Sequence, residues 1–162
     1  MKRHTGFTLI EMLMVIIIIG TLTATVMLSV SSSTDKATAS KIVANLSSLK
    51  AACIMYYSDN GTWPQSDVDF DGTKATGEGL KKEIEEYLDK TPEKGYKIYA
   101  PTHGSNNCAV SYADLGVLTD GVKKKLSKIA SKSALLSSNV SNANEYSNGD
   151  EVFMKVTNSV QQ

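Results

Sequence analysis

The sequence predicts an α+β protein in which one long N-terminal helix packs on a small antiparallel β-sheet with additional short helices. Three observations carry that expectation: a near-unbroken apolar run from Phe7 to Leu28, one-sided helical periodicity from Asp35 to Tyr57, and later segments in which helical and two-residue periods alternate. With 162 residues, 41% hydrophobic and 21% charged, the chain has room for one compact domain plus one long element. Its 17 basic and 17 acidic side chains cancel. Nothing resembles the strongly basic face that binds nucleic acid by counterion release, so no specific nucleic-acid partner is expected.

The apolar run comes first. Its residues, about 22 at 1.5 Å each, make roughly 33 Å of helix, enough to cross a hydrocarbon layer of about 30 Å. Lys2, Arg3 and His4 precede it and no basic residue follows until Lys36, a bias that places the N-terminus in the cytoplasm and the remainder outside. A conventional secretory signal is the competing reading, but its apolar region is about 7–15 residues long. The nearest small-x-small pattern, Ala37-Thr38-Ala39, lies beyond the polar stretch 31–36 instead of at the end of the run. Glu11 is the only charged residue between Phe7 and Leu28. A carboxylate costs on the order of 2.5–3.5 kcal/mol at mid-bilayer, so one retained there calls for a partner.

The segment Lys2-Arg3-His4-Thr5-Gly6-Phe7-Thr8-Leu9-Ile10-Glu11-Met12-Leu13 resembles the processing site of type IV prepilins and the related secretion pseudopilins. The resemblance implies a type IV pilin-like fold, a leader peptide over 1–6, cleavage after Gly6 by a prepilin peptidase and N-methylation of Phe7. It also implies that Glu11 meets the Phe7 amine of a neighbouring subunit during filament assembly. Once desolvated, such a pair sets axial register more than it adds net stability. Many family members carry a proline late in this helix; here none precedes Pro64, so a fixed kink is not implied. Gly20 with Thr21, Thr23 and Thr25 still gives weak helix propensity where the helix could bend in a filament.

From residue 29 to 58 the same helix is expected to turn amphipathic. Ile42, Leu46, Leu49, Cys53 and Tyr56 recur at spacings of four and three, opposite the polar Ser40, Lys41, Asn45 and Ser48. Asn60-Gly61 and Pro64 end it, leaving a globular head over 59–162. The stretch from Tyr56 to Pro64 is similar to the segment closing the long helix in many pilins. Leu80, Ile84, Tyr87 and Leu88 suggest a second helix, and Val122, Leu126, Ile129 and Leu136 a third, N-capped by Thr119. Tyr96/Ile98, Cys108/Val110/Tyr112 and Val152/Met154/Val156 alternate as half-buried strands do. The Ser- and Asn-rich stretch 131–149 reads as an exposed loop.

Asp67-Val68-Asp69-Phe70-Asp71-Gly72, followed by Glu78, fits the D-x-D-x-D-G-x5-E calcium loop, with Asp67, Asp69, Asp71, the Thr73 carbonyl and Glu78 as ligands of Ca2+. Against the match, Pro64 leaves no helix leading in, and Lys74 stands where such loops carry an apolar residue. An Asp-rich turn held by its own hydrogen bonds is the alternative. Cys53 and Cys108 are the only cysteines, and the expected topology puts both where disulfides persist. A bridge between them and two buried free thiols are both open readings.

Little points to catalysis. Loss of the leader leaves His103 as the only histidine, no P-loop is present, and Glu85-Glu86 falls on a solvated helix face. The expectation is a structural subunit made as a single-pass inner-membrane precursor. It would then form a homopolymer as an extracellular type IV pilus. The resemblance adds an assembly ATPase and an inner-membrane platform protein as partners. A secretion pseudopilin forming a short periplasmic filament is the alternative, and an anchored binding protein that never polymerises a third.

Overall fold

The computed structural model describes residues 6–71, 78–101, 108–138 and 143–157. Lys2, Arg3 and His4, the loop residues Gly72, Thr73 and Lys74, and His103 lie outside them. Two compact units divide the chain, Met1–Asp35 and Lys36–Gln162.

Helix α1 runs over Leu9–Asn60 without a break at Gly20. The hydroxyls of Thr21, Thr23 and Thr25 donate to the carbonyls of Ile18, Ile19 and Leu22, which satisfies these side chains inside an apolar stretch. In the first unit the apolar residues of α1 face outward on every side. Leu9, Ile10, Ile16, Ile17, Ile18, Ile19, Leu22 and Met27 are all exposed, and none of the most apolar window is buried. Water penalises such a surface heavily, at about 25 cal/mol per Å² of apolar area. By length and composition this helix is able to cross a membrane.

In the second unit the expected stripe holds. Ala39, Ile42, Leu46, Leu49, Ala52, Cys53 and Tyr56 are buried in one hydrophobic core. The helix stops at Asn60 because Gly61 takes φ +69°, and its N–H returns to the Tyr57 carbonyl at 2.8 Å. Trp63 then stacks on Tyr57, with ring centroids 4.3 Å apart.

The rest of this unit is a five-stranded antiparallel sheet and two helices: β1 (Val68–Asp69), α2 (Glu78–Glu85), β2 (Tyr96–Tyr99), β3 (Ala109–Tyr112), α3 (Asp120–Ser133), β4 (Leu135–Leu136) and β5 (Val152–Lys155). The spatial order is β1-β2-β3-β5-β4. In register, Ile98 faces Val68 and Val110, and Val110 faces Met154. Those side chains, with Tyr96, Tyr112 and Val152, join the residues from α1 in the core. Tyr96 packs on Tyr112 at 4.5 Å and its hydroxyl accepts from Asn45 Nδ2 at 2.9 Å, joining α1 to the sheet. Burial pushes the Tyr96 phenol up to about 12, so it stays a neutral hydrogen-bonding group.

Two expectations need correction. Leu136 is not in the third helix. Thr119 does cap α3, its Oγ1 accepting from the Val122 N–H, but the helix ends at Ser133, where Ala134 turns left-handed at φ 50°. Leu135 and Leu136 then pair with Met154 and Phe153. The 131–149 stretch is accordingly not all exposed loop: Leu136 bridges Glu145, and Tyr146 is buried with its hydroxyl donating to the Gly149 carbonyl at 2.8 Å. Val68–Asp69, inside the Asp-rich segment, pairs with β2 as an edge strand.

One polar cluster closes the sheet. Ser111 is fully buried, and its Oγ donates to Glu151 Oε1 at 2.6 Å while the Tyr99 hydroxyl donates to the same oxygen at 2.9 Å. Glu151→Ala would strand a buried donor, so unfolding stability should fall by about 2 kcal/mol. Glu151→Gln, which keeps an acceptor, should lose about half of that. Thermal melts of the unit from Lys36 onward check this, and equal losses in both variants would count against the network.

Candidate assembly segment and the Asp-rich turn

Helix α1 begins with a capping box. Thr8 precedes the first helical residue and Glu11 stands three positions on, so each can satisfy the other's free backbone N–H. Both arms form: the Glu11 N–H donates to Thr8 Oγ1 at 3.3 Å, and the Thr8 N–H donates to Glu11 Oε2 at 2.8 Å. The Thr8 hydroxyl adds a third bond to the same Oε2, also at 2.8 Å. Glu11 thus has a partner within its own chain, which sequence reasoning missed although T-x-x-E was legible. Its carboxylate is folded back toward the helix N-terminus, where the helix dipole favours negative charge. Among the described residues Oε1 takes no hydrogen bond, which leaves one face of the carboxylate open. Phe7 is exposed beside it, and Gly6 precedes Phe7 with open space around its Cα.

In the described part of the Asp-rich segment, Asp67 and Asp69 already have partners. Asp67 Oδ1 accepts from the Ala100 N–H at 2.9 Å, across the turn from β2. Asp69 Oδ1 accepts from the Asp71 N–H at 2.9 Å, an Asx turn, and Asp69 Oδ2 lies 3.3 Å from Lys97 Nζ. Glu78 opens α2. Thr73 lies outside the described residues, and among the described residues no three His, Cys, Asp or Glu are placed together to hold a metal ion.

Cys53 on α1 and Cys108 just before β3 are both buried, with reduced thiols in this structure. They are neighbours: a hydrogen bond with Cys108, then burial, pushes the Cys53 thiol up from its ordinary value.

Residues 33–123 match the family model described as PilW, C-terminal, and residues 1–27 match the prokaryotic N-terminal methylation motif. Among curated proteins, the type II secretion system core protein G of Klebsiella pneumoniae is 37% identical over 67 residues, covering 41% of this chain and 48% of that one. The core protein G of Vibrio cholerae serotype O1 is 36% identical over 67 residues, covering 41% and 46%. The chain therefore spans about half the length of the curated relatives it matches. Among solved structures, the major type IV pilin PilA1 from Clostridium difficile superposes with a TM-score of 0.52 over 77% of this chain and 98% of that one. At 21% identity this likeness shows the fold.

Proposed function

Because the chain belongs to the PilW C-terminal family and carries the prokaryotic N-terminal methylation motif, we propose that it is cleaved after Gly6, methylated on Phe7 and polymerised through α1 into an extracellular type IV pilus. The observation that carries this reading is the outward-facing apolar surface of α1 in the first unit. That surface suits a membrane-anchored precursor. After extraction it needs an equally apolar covering, and copies of the same helix supply one. In this account Glu11 Oε1 receives the Phe7 amine of the next subunit. The work of extraction falls to an assembly ATPase and a platform protein.

A second reading, a secretion pseudopilin in a short periplasmic filament, is favoured by the core protein G relatives. Their identity covers about two-fifths of this chain, and the fold shown by the pilin likeness suits both readings. Electron microscopy of sheared cells with and without the gene separates the two, since loss of long fibres selects the pilus. Mass spectrometry of the native product should find Phe7 first and N-methylated, and any other start would end both readings.

The calcium loop is carried forward as a separate proposal. The motif spacing supports it, and the existing bonds of Asp67 and Asp69 weigh against it. Calorimetric titration of the unit from Lys36 onward should give saturable heat at millimolar calcium, lost in Asp71→Asn. A flat titration removes calcium from the account.

A further inference from the structure

Helix α3 carries five lysines against one aspartate, and its charge is not spread evenly. Val122, Leu126 and Ala130 form its buried side. Lys124, Lys128 and Lys132 repeat every four residues on the opposite side, all three exposed. At 1.5 Å per residue they make a nearly straight row of ammonium groups about 12 Å long. Lys123, on the flank, is already paired with Asp150 at 2.7 Å. Among the described residues none of the three exposed lysines makes a salt bridge within the chain.

A complementary patch lies elsewhere in the same unit. The Tyr87 hydroxyl donates to Asp59 Oδ2 at 2.9 Å and the Tyr56 hydroxyl to Glu83 Oε2 at 3.4 Å, with the two rings edge to face. Glu86 adds its charge beside Tyr87. Asp59, Glu83 and Glu86 are all exposed, so three carboxylates gather around two phenols at the junction of α1 and α2. Exposed Lys82 stands beside Glu83 in sequence, so the patch is anionic by its excess of carboxylates, three against one lysine.

We propose that in the filament the Lys124–Lys128–Lys132 row of one subunit docks on the Asp59–Glu83–Glu86 patch of a second copy. The proposal rests on the filament reading above. Each chain offers both a cationic and an anionic surface, so the contact is head to tail, the type of contact that propagates into an open fibre when its rotation does not close on itself. Exposed charge pairs contribute little to affinity one at a time. Their effect lies in steering encounter and rejecting wrong registers, because a misaligned pair of heads would set lysine against lysine.

The test uses wild-type fibres sheared from cells. A carbodiimide, which joins an amine directly to a carboxylate, should produce a dimer band whose peptides link Lys124, Lys128 or Lys132 to Asp59, Glu83 or Glu86. Lys124→Glu with Lys128→Glu should lower fibre yield about tenfold without changing the melting temperature, and adding Glu83→Lys with Glu86→Lys should restore it. Unchanged yield in the lysine reversals overturns the proposal. So does a loss that the compensating reversals fail to restore, since the row would then serve another anionic partner. Fibres that form but lack the cross-link overturn it alone, whereas absence of any wild-type fibre overturns the filament reading as well.

Discussion

Replacing Glu11 by leucine is expected to leave a subunit that is still cut before Phe7 and still anchored, while fibre yield falls at least tenfold. Removing the carboxylate makes the apolar stretch more comfortable in lipid, by less than the mid-bilayer cost of about 2.5 kcal/mol because Glu11 lies in the first turn of α1. Loss of fibres therefore cannot be put down to a failure to insert. On the proposed assembly, what disappears is the acceptor for the neighbouring amine, and with it the feature that tells one axial register of smooth helices from the next. Thr8→Val separates this role from capping. The capping box anchors Glu11 through Oε2, so losing the hydroxyl should fray the first turn and cost about 1 kcal/mol. Oε1 would still be available, and fibres should still form. If Glu11→Leu assembles normally, register is set elsewhere; if Thr8→Val is as defective as Glu11→Leu, Glu11 acts only as a cap. Quantitative immunoblots of sheared and cellular fractions read both variants.

Much of this fold was legible because its strongest signals are periodic and long. The apolar run and the stripe Ile42, Leu46, Leu49, Cys53 and Tyr56 specify α1 by themselves, and every member of that stripe is buried. The strands β2, β3 and β5 were readable because core residues recur at every second position and each strand is four residues long, although only β2 alternates in burial while all of β3 is buried. What escaped was short. β1 and β4 have two residues each, too few for any period, and both owe their existence to a neighbour's free edge. Leu136 sits at a helical spacing from Ile129, yet the chain leaves the helix before reaching it because Ala134 adopts a left-handed turn. In the Asp-rich turn the spacing is that of a cation loop, and the bonds of Asp67 and Asp69 to backbone and to Lys97 come from strand pairing that linear spacing does not encode. At the assembly segment, the carboxylate was legible as costly, while its resident partner Thr8 was three residues away in plain sequence.

The second large effect concerns Cys53 and Cys108, which we expect to be bonded in the mature protein. The two thiols are buried against each other, one on α1 and one at the entrance to β3, so a bridge would tie the long helix to the centre of the sheet. The hydrogen bond with Cys108 and then burial keep the Cys53 thiol protonated and unreactive in the folded state, so on the proposed export oxidation would occur while the head folds outside the cytoplasm. The bridge would close a loop of about 55 residues, worth about 4 kcal/mol through the entropy removed from the unfolded chain. Native protein, denatured without reductant, should then show no free thiol and a mass about 2 Da below the reduced form. Reduction should lower the urea midpoint by an amount corresponding to that free energy, and Cys53→Ala should lower it at least as far because it also leaves a cavity beside Cys108. Two titratable thiols in native material would instead make the pair an ordinary part of the core, with Cys53→Ala costing only the cavity. In the proposed fibre the distinction matters, because pulling force would enter each subunit through α1 and reach the sheet through the contacts made by this stretch of helix.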